Sequence, residues 1–333
     1  MDGPAGYTNV NYWDDVAQDY DGEIMSSFDE DLKRIIHKRV CEHCQGPVSS
    51  FALDLGCGVG KYLPLLATRC SKVLGVDISK ELLTQAQRLC YPFSNVKLRC
   101  VDLGNYVLDA HTTGDLPLHQ ATFLVCANVI ISPDQTVCSK IFDTVTKCLA
   151  PGGKLLLVIP SQESAHLATS LIDDWRDAQR RRASSGRGAK GRKLKLEESE
   201  VSSEEDIAQG VYCRDGVRTK TFTQQQVCDE LKARNLMVLS LDKIEYTWDT
   251  EYRGDGSRQW MPACGLRPWD WLFIAQHKGM LPQTAEEDSA SSSSLPSSNE
   301  LSSRSDSSGS PTSVLSPRLT DDSTVVPYGP AIS

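Results

Sequence analysis

Phe51-Ala-Leu-Asp-Leu-Gly-Cys-Gly-Val-Gly60 runs a short apolar stretch into three glycines at alternate positions, and Lys61-Tyr-Leu-Pro-Leu-Leu66 opens a helical pattern behind it. Residue types in that order fit a strand, a tight turn and a helix start. Glycine lets the backbone come close to a ligand, and main-chain N–H groups at such a turn can hold its polar atoms. A second run, Lys72-Val-Leu-Gly-Val-Asp77, ends in an acid 17 residues after Gly60. A βαβ unit brings the end of its second strand beside the first turn, where a carboxylate accepts hydrogen bonds from both ribose hydroxyls of a nucleoside. Ser79 and the helical run Glu81–Cys90 leave a second role open for Asp77, that of an acid at a helix N-cap. Asn95-Val-Lys-Leu-Arg-Cys-Val-Asp102-Leu103 gives a third strand that also ends in an acid.

The spacing of the glycines separates two nucleotide chemistries. A dinucleotide fold asks for G-x-G-x-x-G, and Lys61 stands where the last glycine would be. Asp54-x-Gly56-x-Gly58-x-Gly60 instead resembles the first motif of the class I S-adenosylmethionine-dependent methyltransferases, with a glycine-rich turn of some other α/β protein as the alternative. A fourth strand, Thr122–Asn128, follows. The helical stretch Gln135–Leu149 places Val137, Ile141, Val145 and Leu149 on one face. Ala150-Pro-Gly-Gly153 ends it, since glycine takes the left-handed conformation that closes a helix and proline blocks its continuation. The apolar strand Lys154–Ile159 comes next. Helix, Pro-Gly-Gly and strand in that order are a recurrent signature of the same family, and the resemblance runs from about Asn11 to Ile159.

The resemblance implies an α/β fold of Rossmann-like type: a mostly parallel seven-stranded sheet with helices on both faces and an antiparallel final strand. It implies S-adenosylmethionine as methyl donor, held by Tyr20, Asp54, Gly56, Cys57, Gly58, Gly60, Asp77, Ile78, Asp102, Leu103 and Asn128. In that pattern Asp102 sits by the adenine amine and Asn128 near the methionine end. Tyr12–Tyr20 sets Trp13, Val16, Ala17 and Tyr20 on one helical face, and similar leaders in the family close over the donor as a lid with the tyrosine facing the sulfonium. The same stripe can also pack on the sheet edge. A helix Asp29–Val40 is expected behind it.

Methyl transfer from a sulfonium is an in-line displacement in which positioning carries much of the acceleration. A general base is optional and depends on the acceptor. Tyr20 and His166 are the weak candidates for it. Several acceptor classes lose support. Asn128-Val-Ile-Ile replaces the Asn-Pro-Pro-Tyr type of tetrapeptide, which argues against adenine or glutamine amides. A Pro-Cys nucleophile, the paired-glutamate loop of protein arginine methyltransferases and the Asp/Asp-Asn metal set of catechol-type enzymes are not recognisable either. The expected activity is metal-independent transfer to O, N, C or S of a small molecule. A methyltransferase acting on protein or RNA, a non-catalytic donor-binding regulator and a nicotinamide-dependent oxidoreductase are the rival readings.

Of the 333 residues, the stretch from about Gly279 is rich in serine, proline and acids and carries five of the nine net negative charges. Such a segment buries too little apolar area to offset its chain entropy. The expected organisation is a lid region 1–48, a donor-binding core 49–160, an insertion 161–222 with a flexible charged loop at about 180–208, a closing part 223–278 and a disordered serine-rich tail 279–333. Net acidity argues mildly against a dedicated nucleic-acid binder. Arg180–Lys195 is nevertheless strongly basic, and it reads either as a contact for phosphate, RNA or an acidic partner or as a solvated loop neutralised by the acids of 197–206. No apolar run approaches the roughly 20 residues that span a bilayer, and Met1-Asp-Gly-Pro lacks the pattern of a secretory leader. A cytoplasmic location is expected, with a nuclear one left open. The 12 cysteines then read as reduced thiols. Cys41-Glu-His-Cys44 lacks a second pair for a tetrahedral site and reads as a loop, so no metal is expected. A hairpin around Asp215-Gly216, a helix Gln224–Arg234 capped by Thr223, and strands Leu236–Tyr246 and Pro268–Ala275 complete the expectation.

Overall fold

The computed structural model describes residues 10–44, 50–106, 116–184, 202–214, 217–248 and 265–279. Nine strands lie among them. Seven form one sheet: β1 (Phe51–Leu55), β2 (Lys72–Asp77), β3 (Val96–Cys100), β4 (Ala121–Ala127), β5 (Leu149–Pro160), β8 (Leu236–Glu245) and β9 (Trp269–His277). Their order is β3-β2-β1-β4-β5-β9-β8, and β9 runs antiparallel to both of its neighbours while the other pairs are parallel. The final strand is therefore the antiparallel one, as expected. β6 (Val211–Arg214) and β7 (Val217–Lys220) make a separate hairpin whose turn lies outside the described residues.

The central strands read as unbroken apolar runs because both of their faces are covered. Alternate residues supply two cores. Leu53, Leu55, Leu124 and Phe273 pack with Ile141, Phe142 and Val145 of α7 (Gln135–Cys148) and with Val227 and Leu231 of α10 (Gln224–Ala233). Ala52, Phe123, Leu156 and Ile274 face Ile36 and Val40 of α4 (Ile35–His43), Leu63 and Leu66 of α5 (Leu63–Ala67) and Ala86 of α6 (Lys80–Cys90). Phe123 is 2% exposed at the centre of the second core. Phe123→Ala is expected to lower the unfolding free energy by about 3–5 kcal/mol, measured by urea denaturation; a loss below about 1 kcal/mol would contradict that placement.

Sequence order reverses between β1 and β4, since β2 and β3 lie to one side of β1 and β4 and β5 to the other. In open sheets of this kind, ligands bind in the crevice outside the carboxyl ends of the strands at that point. Asp54, Asp77 and Asn128, at or just beyond the ends of β1, β2 and β4, all line that crevice.

Several elements differ from the periodicity-based reading. The single helix expected over Asp29–Val40 is two pieces, α3 (Ser27–Glu30) and α4. Arg34 takes φ 52° between them, and Asp31 receives the Lys33 and Ile36 N–H groups at 3.2 and 2.7 Å. That side-chain turn competes with a continuous helix. The leader is likewise divided into α1 (Val10–Val16), a 3-10 turn Ala17–Asp19 and α2 (Tyr20–Glu23). Cys41 stands inside α4 and not in a loop. The Ala150–Gly153 break belongs to β5, which begins at Leu149 with a register shift opposite Ala121 and Phe123.

Two helices lie in the 161–222 region: α8 (Gln162–Ser184) and α9 (Glu204–Ala208). Arg180–Lys195 enters the end of α8, and its residues 185–195 fall outside the described residues, as do 280–333 of the tail. Thr223 caps α10 in a reciprocal box with Gln226. No helix among the described residues is long and apolar enough to cross a membrane.

Candidate functional site

The turn after β1 builds the floor of the crevice. Gly58 holds φ 51°, and a Cβ placed on it would lie 2.9 Å from the Tyr20 hydroxyl. At this position the backbone must be bare for another group to approach it. Gly60 serves a different purpose: its added Cβ would sit 3.0 Å from the Ala86 side chain of α6, so it sets helix against strand and does not line the cavity.

Asp77 is fixed by the same turn. Its Oδ2 accepts the Gly58 N–H at 2.8 Å and its Oδ1 accepts the Ser79 N–H at 3.0 Å. Each carboxylate oxygen keeps a further lone pair for a ligand. Burial raises the Asp77 carboxyl above its usual range, and these two backbone bonds oppose the rise. Ser79, and not Asp77, caps α6 by accepting the Leu82 N–H at 3.1 Å. Its hydroxyl also donates to Asp14 on α1 at 2.5 Å. Asp77 thus anchors the turn while a separate residue does the capping.

The leader lies over this floor. Trp13, Ala17 and Tyr20 pack against Val59 of the turn and Leu82 of α6, and Gln85 donates to the Ala17 carbonyl. Burial, with Asp77 adding, pushes the Tyr20 phenol up, so it stays protonated. Lys61, where a dinucleotide fold would have glycine, bonds Asp21 and Asp29 at 2.8 Å each. It ties the leader and α3 to the rim.

Asp54, at the end of β1, is 1% exposed. Its Oδ2 has no hydrogen-bond partner, and burial, with Asp77 adding, pushes its carboxyl up to about 8. Asn128, just after β4, holds φ 54°. Its Nδ2 donates to Asp270 Oδ2 at 3.0 Å, which fixes the amide orientation and leaves Oδ1 buried without a partner. Asp102 is half-buried and closes its own turn, accepting from the Gly104 and Asn105 N–H groups at 2.9 and 3.1 Å and from the Asn105 side chain at 2.8 Å.

A cavity of about 380 Å³ connects these groups. Tyr20, Asp54, Gly56, Cys57, Gly58, Asp77, Ile78, Asp102, Leu103 and Asn128 all line it. His166 does not: it is exposed on α8. Tyr62, Thr219 and Asp270 line the cavity as well and were not singled out by the sequence reading. Asp270 carried a usable signal, since an acid inside the apolar run Trp269–Ala275 is out of place unless it has partners. Among the described residues no group of three or more His, Cys, Asp or Glu could hold a metal ion. The two cysteines of Cys41–Cys44 diverge: Cys44 Sγ lies 3.0 Å from Cys70 Sγ, and Cys41 Sγ lies 3.5 Å from His37.

Comparisons with known proteins give the following. Residues 52–153 match the family model described as a methyltransferase domain. That stretch, from β1 to the start of β5, is similar to a methyltransferase domain. Solved structures that resemble it include an S-adenosylmethionine-dependent methyltransferase from Methanosarcina mazei (20% identity, 74% of this chain and 98% of that one, TM-score 0.44). Another is the N-methyltransferase NodS from Bradyrhizobium japonicum WM9 in complex with S-adenosylhomocysteine (15% identity, 80% and 97%, TM-score 0.47). A third is an S-adenosylmethionine-dependent methyltransferase from Mesorhizobium loti (16% identity, 77% and 99%, TM-score 0.47). Likeness at that level says nothing about the acceptor. No curated protein sequence matches the chain.

The matched region keeps Asp54 of β1 and Asp77 of β2 within one cavity. Asp54 Oδ2 and Asn128 Oδ1, buried atoms of two lining residues, have no hydrogen-bond partner. Asn128 Oδ1 can only accept, and Asp54 Oδ2 accepts once its carboxyl is ionised.

Proposed function

We propose that this chain is a methyltransferase that binds S-adenosylmethionine in the crevice and methylates a small molecule there. The observation that carries the reading is the joining of a bare glycine turn, an anchored strand-end acid and unmet acceptor atoms in one cavity. When bound, the donor supplies an electrophilic methyl carbon on a positively charged sulfur.

The chain's residues divide the work. Asp77 receives the ribose hydroxyls, with its position set by the Gly58 and Ser79 N–H groups. Asp102, Ile78 and Leu103 border the base. Asp54 Oδ2 and Asn128 Oδ1 accept from the ammonium of the methionine end. Trp13 and Tyr20 cover the donor and exclude water, which makes positioning effective. A neutral Tyr20 phenol offers an oxygen to the sulfonium side without acting as a base. The cavity is closed on its far side by the β6–β7 hairpin, which places Thr219 in the wall and is held by the Lys220 N–H donating to the Ile131 carbonyl at 2.9 Å.

Incubation with methyl-labelled donor and fractionated cell extract tests the reading. Label in a low-molecular-weight product supports it, and label confined to protein or RNA contradicts the small-molecule assignment.

A further inference from the structure

Beyond the donor site, the cavity has a second polar wall. Asp270, at the start of β9, is 8% exposed and lines the cavity. Its Oδ2 accepts from Asn128 Nδ2 at 3.0 Å and from the Tyr246 hydroxyl at 2.8 Å, and the carboxyl also accepts the Ser161 N–H. Tyr62 stands in the same wall, its hydroxyl 3.1 Å from Ser27 Oγ and its ring edge-on to Phe28 at 4.8 Å. Asp270 reaches the cavity from the antiparallel strand, beside the end of β5, through the register Pro160↔Asp270.

The charges of this cavity are one-sided. Among the described residues its lining acids are Asp54, Asp77, Asp102 and Asp270, and its lining cation is Lys61, which Asp21 and Asp29 already hold. Lys220, next to Thr219 on the hairpin, is turned to the Gln209 carbonyl and the Phe222 ring. A carboxylate or phosphate acceptor would enter among acids, and among the described lining residues the one cation is already paired. Alcohol, phenol and thiol acceptors gain nucleophilicity by losing a proton, and this environment opposes anions. The cavity's own Tyr20 and Tyr62 phenols and Cys57 thiol are all pushed up, by burial first and by nearby carboxylates second. An amine meets the opposite conditions. It arrives as a cation, which carboxylates and aromatic rings attract, and it becomes a nucleophile by giving up a proton.

We propose, resting on the methyltransferase reading above, that the acceptor is a small primary or secondary amine and that Asp270 is the residue that binds its ammonium and takes its proton. The ammonium N–H bonds Asp270, and one proton passes from nitrogen to the carboxylate, which leaves a lone pair on a neutral amine. That lone pair forms the new bond to the methyl carbon while the carbon–sulfur bond breaks with its electrons staying on sulfur. The positive charge passes from sulfur to nitrogen, and the proton on Asp270 returns to water. Asn128 and Tyr246 position the carboxylate by donating to one of its oxygens.

The test uses the full chain, methyl-labelled S-adenosylmethionine, and small-molecule extract separated by cation exchange. Phenethylamine and spermidine serve as defined probes beside phenethyl alcohol and a simple thiol. Label is expected in a product retained by the cation exchanger and on an amine probe. Asp270→Asn should lower that transfer by at least about 100-fold, the usual scale for loss of a positioned proton acceptor, while its affinity for S-adenosylhomocysteine stays within about twofold. Should Asp270→Asn lose that affinity through misfolding, Thr219→Lys, a cation on the same wall, should raise KM for the amine at least about tenfold with donor affinity kept. Label on a neutral or anionic product, on a macromolecule, or on nothing although S-adenosylhomocysteine binds, overturns the amine assignment and leaves the donor site standing. Full transfer by Asp270→Asn overturns the role of Asp270. Failure of the wild type to bind S-adenosylhomocysteine overturns the methyltransferase reading itself.

Discussion

Gly58→Arg should abolish donor binding while the chain stays folded. Gly58 holds φ 51° with a Cβ position already 2.9 Å from the Tyr20 hydroxyl. A side chain there costs about 1–2 kcal/mol for the left-handed backbone and displaces Tyr20. The larger effect is on binding, because the arginine stem fills the floor of the cavity on which the donor has to rest. A loss of affinity for S-adenosylhomocysteine of at least about 100-fold, or about 2.7 kcal/mol, is expected by titration calorimetry. Circular dichroism should keep the wild-type helix and strand content, since the two cores do not involve this residue. Affinity within a few-fold of wild type would show that the ligand does not cross the glycine turn.

Asp77→Ala should be nearly as damaging, for two reasons that can be separated. The first is loss of the hydrogen bonds to the ribose, about 1.5–3 kcal/mol for a charged acceptor. The second is structural: the Gly58 and Ser79 N–H groups lose their acceptor, which costs about 1–3 kcal/mol for each buried donor left unsatisfied. Affinity for S-adenosylhomocysteine should drop by about 100-fold, together with a measurable fall in thermal stability. Asp77→Asn keeps one acceptor oxygen for two N–H groups and turns its own NH2 on the other, so it should recover part of the stability and little of the affinity. If both variants lose stability yet bind normally, Asp77 only anchors the turn, and the nucleoside is held elsewhere.

The parts of the fold that could be read from the chain are those governed by local chemistry. β1, β2, β4 and β5 are apolar because they are covered on both sides, and each run ends near a residue that faces the crevice. Thr223 announces α10 through its box with Gln226. The glycine spacing and Lys61 together argue against a dinucleotide turn, although nothing in the spacing said that Lys61 would hold Asp21 and Asp29. The leader was legible as an amphipathic stripe, but not its breaks. Asp31 and Arg34 interrupt the expected helix through a side-chain turn and a positive φ, which periodicity does not register. β5 starts five residues earlier than the apolar run suggests, because pairing with Ala121 and not hydrophobicity draws Leu149 into the sheet.

The site was legible where one element ends and the next begins. It was not legible where distant elements meet. Asn128 and Asp270 are 142 residues apart and bonded side chain to side chain, and that juxtaposition depends on β9 inserting antiparallel between β5 and β8. Thr219 enters the wall through a hairpin that belongs to neither core sheet nor leader. His166, a candidate base on sequence, is exposed on α8 and does not line the cavity. The wall around Asp270 and Thr219 is therefore the part of the cavity that long-range packing decides.

The central claim is that the crevice is a seat for an adenosyl sulfonium compound, and titration calorimetry of the full chain tests it most directly. S-adenosylhomocysteine should bind one site with a dissociation constant in the micromolar range, about −8 kcal/mol, while a nicotinamide dinucleotide gives no heat above dilution. Folded protein that binds neither S-adenosylhomocysteine nor S-adenosylmethionine, or that binds the nicotinamide dinucleotide in their place, would contradict it.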